Sequence, residues 1–396
     1  MNVQMNDSAL NSWPCFSEEE AQAAYRIITS NRVNYWTGTV GRNFEKEFAV
    51  WSGAAHAIAL ANGTVALDLA LKGLGIGHGD EVIVTPRTFI ASVSSVVSVG
   101  AIPIFADVDH NSGNITSKTI AEKITEKTRA IIPVHLGGWP CDMNGIMALA
   151  NKNGISVIED CAQAHGAMVG DQMVGAIGHI GAWSFCQDKI MTTGGEGGMV
   201  TTNDEGLWDR MWSYKDHGKN WDAVYNREHP PGFRWLHESF GTNWRMLEVQ
   251  AAIGLIQLSR MKEWTKLRRR NANALKEVLD LFPEAVRVPV PDDNHRHAYY
   301  RQYGYVIPSG LKNGWTRDRI IEDIVSQGLP AFQGSCSEVY REKAFELTDL
   351  RPEKRLPIAK ELGETSLMFL THPTMTERQL QGYCKAVRQT FEKAAR

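Results

Sequence analysis

A single lysine within a glycine-rich stretch has the residue type and setting for covalent chemistry. Lys189 lies in the segment AWSFCQDKIMTTGGEGGMVTT, where glycine pairs stand on both sides of Glu196. The glycines and the flanking apolar runs, which are typical of short strands, predict a tightly turned backbone rather than a solvated helix. A partly desolvated amine there can attack an aldehyde and then carry a proton. Because short motifs also match by chance, this stretch alone is equally compatible with an ordinary surface lysine.

A second stretch has the features of a phosphate site. After a run of strand type that begins at Ile58, Asn62-Gly63-Thr64 leads into the apolar helical pattern VALDLALKGL. Backbone N–H groups and a hydroxyl at a helix start face the positive end of the helix dipole, where a phosphate binds well. The alternative is an ordinary N-cap at Thr64 or Asn62. A dinucleotide-binding fingerprint is excluded, because the later glycines have the wrong spacing and follow a helix.

A carboxylate and an amide follow another apolar run, ISVIED. Asp160 ends this run and Gln163 comes three residues later, which predicts that both side chains point to the same side. Asp160 would then face a cationic ligand atom, and Gln163 would offer a neutral donor. The alternative for Asp160 is a cap on a following helix. The nearby Cys161 and Cys186 have no histidine pattern for a nucleophile or a metal, so we predict no metal site.

The elements that must position these residues have the pattern of a parallel sheet. Apolar runs are separated by about twenty residues or more, the spacing that a crossover helix requires; they are EVIVT (81–85), IPIFADV (102–108), RAIIPVHL (129–136) and ISVIED (155–160). Ligands of such sheets gather beyond the carboxyl ends of the strands. Phe89, Asp160, Gln163 and the Gly63-Thr64 turn are all expected at that edge.

Composition excludes several classes of protein. The 396 residues are 43% hydrophobic and 22% charged, and the formal net charge of −3 provides no basic surface for nucleic acid. The uncharged stretch from Phe89 to Ala106 is interrupted by serines, Gly100 and Pro103, which predicts a buried helix and strand instead of a membrane span. Six scattered cysteines and no apolar leader predict a reduced, cytoplasmic protein.

The order of helical and strand patterns predicts two domains. A large domain is expected over residues 1–265 and a small C-terminal α+β domain over 266–396. The N-terminal helix is expected to begin after a capping box of Ser17 and Glu20, and the longest helix to run from Trp244 to about Phe282. The last helix is expected to begin at a capping box from Thr374 to Glu377.

Taken together, the blocks resemble those of the DegT/DnrJ/EryC1/StrS sugar aminotransferases. The resemblance covers nearly the whole chain and rests on several ordered segments; they are GRNFEKEFA, ANGTVALDLALKGLGIGHGDEVIVTPRTFIAS, GAIPIFADVD, IEDCAQAHGA, SFCQDKIMTTGGEGGMVTTND, DHG and TNWRMLEVQAAIGLIQL. It implies the α/β fold of aspartate aminotransferase, fold type I of pyridoxal 5′-phosphate enzymes, with a mostly parallel central sheet covered by helices. It also implies pyridoxal 5′-phosphate as cofactor, with pyridoxamine 5′-phosphate as its amino-carrying form.

The resemblance implies roles for four residues around the cofactor ring. Lys189 would be the Schiff-base lysine, and Asp160 would pair with the pyridinium nitrogen. Gln163 would contact the phenolic oxygen, and Phe89 would stack on the ring. An ionised Asp160 would keep the ring nitrogen protonated, which makes the ring an electron sink.

The resemblance also implies a phosphate site that two subunits share. Gly63, Thr64 and Ser184 would hold the phosphate, and Asn243 would reach it from the neighbouring subunit. A homodimer is therefore expected. Helix-start donors suit a phosphate dianion without an arginine.

The implied reaction moves an amino group from L-glutamate to a nucleotide-linked ketosugar. Lysine at 189 favours amination, because one branch of the family carries histidine there and dehydrates its sugar. The first choice of substrate is a UDP-4-keto-6-deoxy-N-acetylhexosamine, which gives the 4-amino sugar for deoxyaminosugar and surface-glycan synthesis. A 3-keto nucleotide sugar and a non-catalytic regulatory relative are the alternatives.

The candidate sugar contacts are Trp36, His217 and His372, which stand in loops that lie near the substrate in the family. Packing or surface roles are equally compatible with these three residues. Two departures from the family pattern affect substrate detail. Cys186 stands where many members have histidine or an aromatic residue. The pair Gly194-Gly195 is one residue longer than the single glycine of many members.

Overall fold

A seven-stranded sheet forms the centre of the molecule in the computed structural model, which describes Leu10 and residues 12–396. Its strands lie in the order β1-β9-β8-β5-β4-β2-β3; their bounds are β1 His56–Leu60, β2 Glu81–Val84, β3 Ile102–Phe105, β4 Thr128–Ile132, β5 Ser156–Asp160, β8 Ile180–Ser184 and β9 Gly198–Thr202. Neighbours pair in parallel from β3 across to β8, whereas β9 runs antiparallel to both β8 and β1. The prediction of a mostly parallel sheet is confirmed.

Helices accompany this sheet along the chain; they are α1 Glu18–Thr29, α2 Val40–Ser52, α3 Gly63–Gly73, α4 Ala91–Ser98, α5 Ser117–Ala121, α6 Met143–Asn153, α7 Glu205–Lys215, α8 Trp221–Tyr225 and α9 Glu248–Leu279. Strands β2, β4 and β5 are almost wholly buried, as expected for strands with helices on both faces. The predicted capping box of Ser17 and Glu20 is present at the start of α1.

Two of the predicted strands are shorter than their apolar runs. Strand β3 ends at Phe105 and β4 ends at Ile132, although the apolar runs continue to 108 and 136. In β4 the cause is Pro133, which has no N–H for the next ladder bond, followed by a turn at Leu136–Gly138 in which Gly137 has a φ of 64°. Hydrophobicity there marks burial rather than extended structure.

A smaller unit follows α9 and is built on the three-stranded sheet β10-β12-β13. Its elements are β10 Val286–Arg287, β12 Arg301–Val306, α10 Arg317–Ser326, α11 Pro357–Thr365, β13 Ser366–Leu370 and α12 Glu377–Ala394. The third sheet joins β11 His295–Arg296 to the hairpin of β6 Met168–Val169 and β7 Gln172–Met173. Between β10 and β12 the chain therefore passes beside the β6–β7 hairpin, which belongs to the part of the chain that forms the large sheet.

The start of α12 corrects one prediction. The N-cap is Thr376, and its capping box is closed by Gln379, two residues beyond the predicted pair of Thr374 and Glu377. Both pairs have acceptable cap chemistry, so the sequence pattern alone did not separate them. Leu380, Tyr383 and the later apolar residues of α12 are buried on one face as expected.

Helix α9 links the two parts of the molecule. The predicted boundary after residue 265 falls inside this helix, which is continuous from Glu248 to Leu279, so the division into two domains remains a prediction. The helix is shorter at both ends than the predicted Trp244 to Phe282. Among the described residues, no helix has the length and apolarity needed to cross a membrane.

Candidate functional site

A cavity of about 580 Å³ opens beyond the carboxyl ends of the central strands. The residues that line it come from the ends of β5 and β8, the start of α3, and the loops before α4 and β9. Seven of the predicted site residues are among them: Gly63, Thr64, Phe89, Asp160, Gln163, Ser184 and Lys189. The expected convergence on one edge of the sheet is therefore present. The roles of these residues remain predictions.

The start of α3 forms one end of the cavity. Asn62 is the N-cap, and its side chain accepts a hydrogen bond from the Val65 amide at 3.0 Å. The backbone N–H groups of the first two helical residues, Gly63 and Thr64, have no hydrogen-bond partner within the helix. A side chain at Gly63 is excluded, since a Cβ there would lie 2.5 Å from Cβ of Ser184. This close approach brings the helix start against the end of β8, so that the N–H groups left unpaired by the helix lie beside the Ser184 side chain.

Asp160 is a buried carboxylate at the end of β5. Its Oδ2 accepts a hydrogen bond from Ser92 Oγ at 2.7 Å, and its Oδ1 accepts one from the Ala162 amide at 3.1 Å. Burial raises its pKa, and the two donors and the positive charge of Lys189 offset this only in part. The segment after Asp160 consists of turns, so the alternative of a helix cap is wrong. A buried carboxylate in a cavity is stabilised by a cationic ligand atom.

Ser92 and Thr88 are site residues that the sequence reasoning missed. The single hydroxyl hydrogen of Ser92 is donated to Asp160, so Thr88 must be the donor in the 2.8 Å contact between the two hydroxyl oxygens. The result is a directed chain from Thr88 through Ser92 to Asp160. Serine at a buried position of an apolar helix was the available signal, but only the fold shows what it faces.

Gln163 and Phe89 line the cavity on the side of Asp160. The Gly137 amide donates to Gln163 Oε1 at 2.8 Å, which fixes the amide group with its N–H₂ end available as a donor. Phe89 is 67% exposed although it lies beside a cavity in the protein. An uncovered aromatic ring at a cavity wall suits stacking on a planar ligand.

Lys189 lies on the turned backbone that the glycines predicted. Its amide donates to the Cys186 carbonyl at 3.0 Å, and Gly194 and Gly195 have φ values of 89° and 118° in the region that favours glycine. The side chain is largely buried, and its Nζ lies 3.7 Å from Asp188 Oδ1. Trp13 Nε1 donates to the Lys189 carbonyl at 2.8 Å. Hydrogen bonds at both its N–H and its C=O group therefore fix the backbone of the lysine, and its side chain lines the cavity.

The predicted sugar contacts lie elsewhere in this chain. Neither Trp36 nor His217 is among the described residues that line the cavity. The indole N–H of Trp36 donates to Asp216 Oδ1 at 3.2 Å, and His217 is exposed. His372 is buried, stacks on Trp13, and has its pKa lowered to about 3 by burial and nearby arginines. These three contacts remain predictions.

Asn243 is exposed and is not among the described residues lining this cavity. Its backbone pairs with Asp216 on the same surface as His217. An exposed position outside the chain's own cavity is compatible with a contact to a second copy.

Cys186 and Cys161 lie in different surroundings. Cys186 lines the cavity, and its thiol lies 3.8 Å from Glu196 Oε1; burial and this carboxylate raise its pKa. His135, Glu159 and Cys161 form a buried cluster whose spacing could suit a metal. However, His135 uses Nε2 toward Glu159 at 3.1 Å and Nδ1 as acceptor for the Cys141 amide, so its nitrogens serve internal hydrogen bonds.

Known proteins resemble this chain over nearly its whole length. The model of the DegT/DnrJ/EryC1/StrS aminotransferase family matches residues 14–388. A solved structure, the aminotransferase from Psychrobacter cryohalolentis, is 58% identical, covers 97% of this chain and 99% of that chain, and superimposes with a TM-score of 0.95.

Two curated relatives carry the names of sugar enzymes. GDP-perosamine synthase of Caulobacter vibrioides is 37% identical over 362 residues, which are 90% of this chain and 92% of that protein. The UDP-N-acetyl-3-dehydro-alpha-D-glucosamine 3-aminotransferase of Acidithiobacillus ferrooxidans is 36% identical over 354 residues, 89% of each chain.

Proposed function

Because the chain belongs to the DegT/DnrJ/EryC1/StrS aminotransferase family, we propose that it transfers an amino group from L-glutamate to a nucleotide-linked ketosugar with pyridoxal 5′-phosphate as cofactor. The observation that carries the proposal is the meeting of Lys189, Asp160 and the start of α3 in one cavity. An amine, a buried carboxylate and free helix-start amides are the three groups that an aldehyde, a ring nitrogen and a phosphate require.

Each of these residues of the cavity suits one part of this cofactor. The Gly63 and Thr64 amides and the Ser184 hydroxyl form the phosphate end. Asp160, which is almost fully buried, offers its anionic charge to the ring nitrogen, and Phe89 offers an exposed ring for stacking. When bound, pyridoxal 5′-phosphate supplies a reactive aldehyde carbon and an electron-withdrawing ring.

Lys189 then has two tasks in the reaction. Its amine would hold the aldehyde cofactor and would be freed when the amine of glutamate takes its place. Once free, Nζ would take the proton from the α-carbon of the donor and hold it for return, and addition of water would release the donor as 2-oxoglutarate. The ketosugar receives the amine by the reverse proton transfers at the same Nζ. Asp160 keeps its negative charge throughout, aided by the Ser92 hydroxyl.

The proposal also names a sugar substrate. We take a UDP-4-keto-6-deoxy-N-acetylhexosamine as the first substrate, aminated at C4, for synthesis of surface glycans. A 3-keto nucleotide sugar is the alternative, because a relative of nearly equal identity is named as a 3-aminotransferase. The third possibility is a regulatory protein that binds cofactor or sugar without turnover.

A homodimer with shared sites completes the proposal. Asn243 is exposed in its own chain, and we propose that it contacts the phosphate held by Gly63, Thr64 and Ser184 of a second copy. The neighbouring loop exposes Phe233, Trp235 and Phe240 by 77%, 81% and 100%, which is costly in water unless a partner covers them.

The decisive experiment measures the two halves of the reaction. Cofactor-loaded protein is expected to change its absorbance with L-glutamate and to release 2-oxoglutarate. The amino-loaded protein should then convert one member of a panel of 3-keto and 4-keto nucleotide sugars to an amine detectable by mass. Lys189→Ala should abolish both steps, whereas Lys266→Ala, at an exposed position of α9, should leave both unchanged. Turnover by Lys189→Ala would refute the proposal, and binding without turnover by the wild type would favour a regulatory protein.

A further inference from the structure

A second cavity of about 280 Å³ adjoins the first on the side of the small unit, and we refer to it as the side cavity. It shares Phe89, Gln163 and Lys189 with the first cavity. Its other wall includes Tyr300 and Arg301 at the start of β12. A group bound in the side cavity would therefore touch both the reactive amine and the small unit.

Arg301 brings a buried positive charge to this wall. The side chain of Arg301 is about one-tenth exposed, and its guanidinium lies 4.0 Å from the centre of the Tyr300 ring. Nη1 donates to the Tyr300 carbonyl at 3.2 Å, and Nη2 donates to the Tyr300 hydroxyl at 3.3 Å. These two long bonds leave donors of the five-hydrogen guanidinium for another partner.

The anion nearest to Arg301 is shared with Lys189. Asp188 Oδ2 lies 3.8 Å from Arg301 Nη2, beyond hydrogen-bond distance, while Oδ1 lies 3.7 Å from Lys189 Nζ. Oδ2 already accepts the Tyr300 hydroxyl at 2.5 Å. One carboxylate thus serves two cations and a phenol, and Arg301 has no hydrogen-bonded counterion within the described part of the chain.

Other groups near the side cavity also leave its wall with more positive than negative charge. Arg268 is fully buried behind Tyr300, and its Nε and one terminal nitrogen have no hydrogen-bond partner among the described residues. His372 stays neutral because burial and the two arginines lower its pKa to about 3. The remaining acid in the lining, Glu342, is exposed at the rim. The two buried guanidinium groups lie close enough that, after burial itself, Arg301 lowers the pKa of Arg268, and of the two only Arg301 lies within 4 Å of a carboxylate among the described residues. Burial of such poorly paired positive charge is costly unless a ligand supplies an anion.

We propose that Arg301 binds the α-carboxylate of the amino-acid donor in the side cavity. The inference rests on the proposed aminotransferase function. The α-carboxylate is attached to the carbon whose proton Lys189 removes, so it must lie close to Nζ. Arg301 meets this requirement because it and Lys189 approach the two oxygens of the same Asp188 carboxylate. A planar guanidinium can also bind a carboxylate through two parallel hydrogen bonds.

The dimensions of the side cavity favour the donor over the sugar nucleotide. Its volume lies just below the range of roughly 300–1,000 Å³ that holds drug-sized ligands. A five-carbon amino acid fits such a space, whereas a nucleoside diphosphate sugar is far larger. The diphosphate of the sugar nucleotide lies far from its keto carbon, so only the donor places an anionic group directly beside the carbon on which Lys189 acts.

The test compares the two half-reactions in Arg301→Met, Arg301→Lys and a control. Arg301→Met should raise the L-glutamate concentration for half-maximal rate roughly 10- to 100-fold, the effect of one lost charge-assisted hydrogen-bonded pair. Its ketosugar half-reaction should stay within about twofold of the wild type, which also shows that the fold is intact. Arg301→Lys should give an intermediate value, because the charge remains and the two-pronged geometry is lost.

Two donor analogues identify which carboxylate is bound. L-Isoglutamine lacks the α-carboxylate charge, and L-glutamine lacks only the side-chain charge. The wild type should prefer glutamate over isoglutamine by at least about tenfold in kcat/KM, and Arg301→Met should lose that preference. Arg287→Met is the matched control, because Arg287 also lies over a tyrosine ring in the same small sheet but does not line the side cavity. It should keep the preference.

A binding measurement separates this inference from the proposed function. In a Lys189→Ala background, which prevents turnover, calorimetric titration with 2-oxoglutarate should show affinity that falls about tenfold or more when Arg301→Met is added. Equal affinity, or an unchanged preference for glutamate over isoglutamine in an active Arg301→Met enzyme, would overturn the role of Arg301 alone. A wild type that releases no 2-oxoglutarate from glutamate would overturn the proposed function itself.

Discussion

Replacement of Ser92 by alanine tests how the protein keeps Asp160 ionised. Ser92 Oγ donates to Asp160 Oδ2 at 2.7 Å, and both residues are buried. A hydrogen bond to a charged group contributes about 1.5–3 kcal/mol, and one between neutral groups about 0.5–1.5 kcal/mol. The bond therefore favours the ionised form by about 1–1.5 kcal/mol. Since one pKa unit corresponds to about 1.4 kcal/mol, Ser92→Ala should raise the pKa of Asp160 by about one further unit.

The sign of the pH dependence follows from burial. Burial, the largest cause, raises the pKa of Asp160 in the cofactor-free protein above its unfolded value. The native state then binds more protons than the unfolded state between the two pKa values, so stability falls as pH rises through that window. In Ser92→Ala the fall extends to higher pH, because the ionised carboxylate has lost a donor.

The assay is urea unfolding of the cofactor-free protein at a series of pH values. The destabilisation caused by Ser92→Ala should be about 1 kcal/mol where Asp160 is protonated and about 2–2.5 kcal/mol where it is ionised. In an Asp160→Asn background the cost of Ser92→Ala should not vary with pH. Ser95→Ala removes from the same helix a buried hydroxyl that has no hydrogen-bond partner among the described residues, so it should cost little at any pH. A cost of Ser92→Ala that is constant from acid to neutral pH would refute the reasoning.

The remaining predictions concern packing and the second subunit. Gly63→Ala should destabilise the protein by about 1–3 kcal/mol and weaken cofactor binding, because the new methyl group would meet Ser184; thermal unfolding and a cofactor titration measure both effects. Gly382→Ala, in an open position of α12, should instead add about 0.5–1 kcal/mol of stability, and a lower Tm would contradict this. Co-expression of Lys189→Ala with Asn243→Asp should restore activity that neither variant has alone, because a mixed dimer contains one intact site. No restoration in purified mixed dimers would remove Asn243 from the partner's phosphate site.

Much of the fold and the cavity lining could be predicted from local patterns. The spacing of the strands, the glycine turns and the cap of α1 depend on neighbouring residues, so the parallel sheet and the turned backbone at Lys189 were predicted correctly. Asp160 and Gln163 were found because residues that follow parallel strands must meet at one edge. The errors were also local: a cap placed two residues early, and apolar runs extended past the ends of β3 and β4.

The contacts that adjust the site are set by packing between distant parts of the chain. Ser92 meets Asp160 across 68 positions, and Tyr300 meets Asp188 across 112. No periodicity within α4 or β12 specifies those partners, because a side chain's environment depends on which elements pack against it. The sequence by itself therefore determined the sheet, the lysine and the carboxylate, since these follow from short-range stereochemistry and burial. Only the tertiary structure decided that a serine supports the carboxylate and that a buried arginine stands beside the lysine.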